Sequence, residues 1–171
     1  MHQILIAVLV LGVHATSIAQ EWESPDGLFS VKTPNAETFT LVPSIEKPYI
    51  GLWVSKDETV KLAVLEIPIP QGEKLIQSAM EEGLAEAIGG KVIRLPNTNV
   101  SGYEVWNMSA SGAAGKITQA VFVHGNTVYK LMAVTAGSDQ NDELGTAFIK
   151  SLSFPKIEPS TSSNSTSVKN Q

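Results

Sequence analysis

Apolar residues recur along this chain with two periods, and the order in which the periods alternate predicts the architecture. A period of two marks residues 28–33, where Phe29, Val31 and Thr33 alternate with Ser30 and Lys32 until Pro34 ends the run. Residues 35–48, broken by Pro43 and Pro48, read as connection with room for a short strand at 38–41. Residues 49–55 and 59–67 form a hairpin across Lys56-Asp57-Glu58, stopped by Pro68 and Pro70, which lack the N–H a ladder needs. The period then becomes 3.6. Leu75, Ile76, Ala79, Met80, Leu84, Ala87 and Ile88 make one stripe of a helix over 73–88, and Gly89-Gly90 supplies a left-handed cap. Strands follow at 91–95, 102–110 and 116–124, the last two joined by a turn at 111–115.

The centre of the pattern is residues 119–135. Two runs rich in Val, Phe, Tyr and Leu flank His124-Gly125-Asn126, where Gly and Asn tolerate the positive φ of a tight hairpin. In the second run Val128, Met132 and Val134 face one way and Tyr129, Leu131 and Ala133 the other. A strand apolar on both faces belongs in the middle of a covered sheet, since a large side chain left wet forfeits about 1.5–3 kcal/mol. A second amphipathic helix follows at 140–152, with Leu144, Ala147, Phe148, Ser151 and Leu152 on one stripe and Ser138 or Asp139 at its N-cap. Gly145 inside it costs about 1 kcal/mol relative to Ala. No internal repeat is visible. The order predicts an α+β fold: an antiparallel β-sheet of about six strands with two amphipathic helices packed on it.

Composition changes the picture at the two ends. Ile4 to Val13 is an unbroken apolar run, too short for a membrane span, which needs about 20 residues. Ser17-Ile18-Ala19 puts small residues at −3 and −1 before Gln20, which predicts a signal peptide over 1–19 cleaved between Ala19 and Gln20. Met1-His2-Gln3 departs from the pattern in carrying no Lys or Arg. A single domain is expected over 20–154, and the Ser/Thr-rich tail 155–171, with almost nothing to bury, is expected to be disordered. The 171-residue chain carries −5, has one arginine (Arg94) and no cysteine. It therefore offers neither the basic patches that nucleic acid or anionic membranes require nor any disulfide. The expected location is periplasmic or secreted, with no membrane insertion after processing.

Three short stretches resemble the PsbP-like family, whose members include the extrinsic oxygen-evolving subunit of photosystem II and a Ran-binding release factor. Ser24-Pro-Asp-Gly-Leu-Phe-Ser-Val-Lys-Thr-Pro34 is similar to the family's opening. Asn126-Thr-Val-Tyr-Lys-Leu131 and Phe148-Ile-Lys-Ser-Leu-Ser-Phe154 are similar to a later strand and the close. The resemblance covers roughly residues 22–154. It implies an antiparallel sheet between helices, often exported and non-enzymatic, and carries over no binding residue.

Candidate chemistry is sparse. His2 and His14 leave with the signal, so the mature chain holds only His124, at a hairpin tip. A catalytic triad or a Cys/His zinc site therefore has no ready members. Gly112-Ala-Ala-Gly115-Lys116 lacks the spacing and following helix of a phosphate loop. Asp139-Gln-Asn141-Asp-Glu143 starts like a calcium loop, but Leu144 and Lys150 occupy its glycine and bidentate-glutamate positions. Glu66, Glu104 and Lys130 fall within strands, so a Glu–Lys pair across strands is one reading of Lys130 and exposure at a strand end the other. Trp22, Trp53 and Trp106 suit packing better than ligand stacking. Asn99, Asn107 and Asn164 open formal glycosylation sequons, Asn107 awkwardly in mid-strand. No metal and no cofactor is expected.

The reading is an exported, non-catalytic binding or accessory module working through contact with an unknown protein partner. One alternative is a carrier of a small apolar ligand between sheet and helix, which calls for a pocket of at least ~300 Å³ lined by Trp53, Trp106 or Met80. The other is a hydrolase using Glu66 or Glu104, which requires two carboxylates about 5–9.5 Å apart.

Overall fold

A computed structural model describes residues 20–155 except Ser44 and Ala114, so the predicted signal peptide and the tail from 156 lie outside the described residues. In chain order the strands are β1 (Gln20–Glu23), β2 (Ser30–Thr33), β3 (Phe39–Leu41), β4 (Tyr49–Ser55) and β5 (Val60–Pro68). After helix α1 (Gln77–Ile88) come β6 (Lys91–Arg94), β7 (Thr98–Val100), β8 (Tyr103–Gly112), β9 (Gly115–His124) and β10 (Thr127–Thr135). Helix α2 (Asp139–Lys150) closes the order. The main sheet has eight strands, not six, in the order β3-β4-β5-β10-β9-β8-β6, with β7 on the other half of β8. Every ladder is antiparallel.

The additional strands have identifiable causes. Residues 21–27 carry the turn signal Pro25-Asp26-Gly27 and read as a lead-in, but Trp22 is drawn inward while Glu21 and Glu23 stay wet, and β1 pairs with β2 as a separate two-stranded ribbon. Strand β7 forms because Pro96 and Asn97 kink the sheet edge after β6, and Thr98–Val100 rejoins β8 further along.

The register places the helices on opposite faces. Ala133 and Thr118 lie opposite each other, as do Thr118 and Ser109, so they share one face; Met132, Gln119 and Met108 share the other. Helix α2 and the ribbon cover the first face, where Phe29, Val31, Trp53, Leu62, Phe122, Tyr129, Leu131 and Phe148 form the main core. Helix α1 sets Leu84, Met80 and Ile88 on Met108, Ala110 and Ile117 of the second face. It covers only the β6–β8–β9 side. Consequently β10, central as expected, is sealed on its Tyr129/Leu131/Ala133 face, whereas Lys130, Met132 and Val134 are only half-buried.

Helix α1 starts later than its apolar period implied. Leu75 and Ile76 precede it, and Ile76, at the N-cap, is exposed and offers no capping side chain. Gly89 at φ 61° ends it as predicted. Its end then rests directly on the β8–β9 turn: a Cβ on Gly112 would lie 2.3 Å from the Ile88 carbonyl oxygen. That close approach accounts for the glycine at 112 without any phosphate.

Helix α2 is tied down at its start. Ser138 Oγ accepts from the Asn141 N–H, Asn141 Nδ2 donates to Thr59 Oγ1 and to the Ala136 carbonyl, and Asp142 accepts from Thr135 and pairs with Lys116 Nζ at 3.1 Å. Gly145 lets the helix press onto β10: a Cβ there would lie 2.9 Å from Ala133 Cβ and 3.0 Å from Thr135 Cγ2. Gly145→Ala is therefore expected to destabilise the fold by about 1–2 kcal/mol, the overpacking cost exceeding the gain in helix propensity. Urea denaturation checks this; an increase in stability would show that the helix shifts freely.

Candidate binding cleft

The three resembling stretches meet at one place on the α2 side of the sheet. Phe29 is 1% exposed and its ring touches Trp22, Phe122, Tyr129 and Phe154, with centroids 6.2, 5.3, 5.4 and 6.4 Å away. Beside it Asp26 accepts hydrogen bonds from Ser24 Oγ (2.6 Å), the Leu28 N–H (3.1 Å) and Tyr129 Oη (2.7 Å). Partial burial pulls the Asp26 carboxyl up, but these donors outweigh it and hold it below 3.8. Burial, followed by the Asp26 carboxylate, pushes the Tyr129 phenol well above 10. The C-terminal stretch closes the group: Ser30 and Ser153 exchange backbone hydrogen bonds at 2.9 and 3.0 Å.

The Ser24–Phe29 turn occurs twice. At the β4–β5 connection Ser55 Oγ donates to Asp57 at 2.6 Å and accepts from the Val60 N–H at 3.0 Å, as Ser24 Oγ does toward Asp26 and the Phe29 N–H. Gly27 (φ 68°) in the first turn corresponds to Glu58 (φ 59°) in the second. No repeat was expected from the sequence, yet the spacing Ser-x-Asp-x-x-apolar was legible in it.

Between the sheet and the C-terminal end of α2 lies an open cleft of about 540 Å³. Its walls include Val105 and Ala120 from the sheet, Ile149 and Leu152 from the α2 end, and Leu95 and Val100 from the edge segment. Asn107 shapes it: its Nδ2 donates to the Pro96 carbonyl and Thr98 Oγ1, both at 3.1 Å, fastening the edge segment as one wall of the cleft. With that amide half-buried and committed, the Asn107 sequon is no place for a glycan.

The predicted lining was wrong. Trp53 is 5% exposed, packed against Trp22 (5.5 Å) and Phe148 (6.1 Å) beneath α2, whereas Met80 and Trp106 pack on the α1 face. No tryptophan reaches the cleft.

The other candidate residues are dispersed. Glu66 on β5 and Glu104 on β8 are three strand spacings apart, about 14 Å across the sheet, so they form no carboxylate pair for hydrolysis. Glu104 accepts from Asn97 Nδ2. Among the described residues Lys130 has no carboxylate within ion-pair distance, which removes the Glu–Lys reading. Its cross-strand neighbours are Leu65 and Val121, because Glu66 lies opposite Tyr129 and faces the other way. Burial alone lowers its pKa. His124 is exposed, with Nδ1 3.0 Å from Tyr103 Oη, and Tyr103 stacks on Phe154 at 4.2 Å. Asp139 and Asp142 serve the start of α2.

Among solved structures the chain is similar to the solution structure of cyanobacterial PsbP from Synechocystis sp. PCC 6803. The TM-score is 0.60 at 13% identity, over 84% of this chain and 96% of that one. The fold is PsbP-like. A Bacteroides thetaiotaomicron crystal structure is also similar, with TM-score 0.44 at 14% identity, over 81% of this chain and 49% of that one. No protein-family model matches, and no curated protein does. The sheet between two helices agrees with what the resembling stretches implied, and those stretches turn out to be packing partners of one another.

Proposed function

We propose that this chain is an exported, non-catalytic binding module that takes a small apolar ligand in the cleft between the sheet and the end of α2. The carrying observation is the cleft itself: about 540 Å³, aliphatic in its walls, and above the ~300 Å³ a ligand site needs. Its position between sheet and helix is the one a carrier requires, although its lining differs from the expected tryptophans. The non-catalytic reading is supported by the separation of Glu66 from Glu104 and by a PsbP-like fold. Contact with a protein partner is the reading to return to if the cleft stays empty.

Export rests on the Ile4–Val13 run and the Ser17-Ile18-Ala19 site. Among the described residues no helix is long and apolar enough to cross a membrane.

Two measurements test this. A neutral environment-sensitive fluorophore such as N-phenyl-1-naphthylamine should bind residues 20–171 saturably with one-to-one stoichiometry. Thr146→Trp, which narrows the cleft from α2, should weaken it at least about tenfold while circular dichroism stays unchanged. An unaltered affinity would place the probe elsewhere and defeat the carrier reading. For export, the N-terminus of the protein recovered from the extracytoplasmic fraction should be Gln20; a cytosolic protein with Met1 intact would refute it.

A further inference from the structure

The chemistry of the cleft narrows its ligand beyond "apolar", on the footing that the cleft is a binding site. Its apolar lining is aliphatic throughout: Leu95, Val100, Val105, Ala120, Ile149 and Leu152, with no aromatic ring. The rings of the main core are gathered elsewhere, from Trp22 and Phe29 through Phe122 to Phe154. A flat aromatic or sugar ligand therefore finds nothing to stack on, whereas a flexible hydrocarbon chain finds branched side chains on several sides.

The polar lining adds one charge. Asn107 has its amide hydrogens committed to Pro96 and Thr98, and Thr118 Oγ1 lies 3.5 Å from Ser109 Oγ. Lys150 is the one charged residue among those lining the cleft, and it stands exposed at the mouth. Lys116, on the same side of the sheet, is paired with Asp142; among the described residues Lys150 has no carboxylate within ion-pair distance. Lys150 also complements the negative end of the α2 dipole. A cation at the edge of a slot whose apolar walls are aliphatic is the complement of an amphiphile with a negative head.

We propose that the cleft binds one unbranched aliphatic chain bearing an anionic head, a free alkyl carboxylate, with the chain between the sheet and Ile149 and the head at Lys150. A chain of net charge −5 with a single arginine is poorly suited to an anionic bilayer, so the monomeric amphiphile is the source, and not a membrane surface.

The test uses the mature chain, residues 20–171, and displacement of the neutral fluorophore. Straight-chain carboxylates of roughly six to sixteen carbons are compared with alcohols of equal length, all below their micelle thresholds. Affinity should rise about fourfold per added methylene until the cleft is full and then level off. At pH 8 each carboxylate should bind several-fold tighter than its alcohol. Lys150→Gln should erase that preference but keep the chain-length dependence, and Lys150→Arg should restore it. Equal binding of carboxylate and alcohol by the unaltered protein would overturn the head-group assignment and leave the cleft reading standing. No displacement by either series, with the fluorophore bound, would overturn the aliphatic ligand. Failure of the fluorophore itself to bind would defeat the cleft reading beneath it. Capture by anionic phospholipid vesicles with no response to the monomers would show the source to be wrong.

Discussion

The burial of Phe29 is the constraint on which the rest of this structure depends. The β1–β2 ribbon is not part of the main sheet, and a two-stranded ribbon is marginal by itself in water. Its largest anchor is one ring inserted among Trp22, Phe122, Tyr129 and Phe154, with Asp26 receiving the Tyr129 hydroxyl beside it. That hydrogen bond contributes only about 1 kcal/mol, since water screens the exposed carboxylate. The ring contributes several times as much. Once the ribbon is seated, Ser30 has a strand edge to offer Ser153, and the stretch after α2 is fixed across the same face.

The cleft follows from how α2 is fastened. Its first half is bound to the sheet through Ser138, Asn141 and Asp142 and presses close at Gly145. Its last turn lies over the part of the sheet where β8 and β9 present Val105 and Ala120, side chains too small to fill the space under a helix. The segment 95–100, held by Asn107, supplies the remaining wall. Lys150 is at the mouth because it ends the helix. The cleft thus arises from packing, with aliphatic side chains in its walls and one lysine at its edge.

Much of the frame was legible in the sequence, and the failures have physical causes. The central place of β10 followed from apolar residues on both faces, and the start of α2 followed from Ser138, whereas the helix ends at Lys150, two residues short of the 152 that its apolar stripe implied. The ribbon strand at Gln20–Glu23 was hidden because four residues beside Pro25-Asp26-Gly27 give too little alternation to outweigh a turn signal. The late start of α1 was hidden because Leu75 and Ile76 continue the helical period although no side chain caps Gln77. Whether Lys130 meets Glu66 depends on register, which periodicity does not supply; one residue decides the face. The cleft was foreseen only as a position between sheet and helix. Its lining comes from segments far apart in the chain, brought together by the fold of an edge segment, and no local pattern announces that.

Unfolding of Phe29→Ala in urea, read with amide hydrogen exchange, tests the central role of this ring most directly. The packing described here predicts a loss of about 3–5 kcal/mol, with faster exchange at the Ser30 and Ser153 amides that the ribbon protects. A loss below about 1 kcal/mol, with those amides still protected, would show that the ribbon is held by something else.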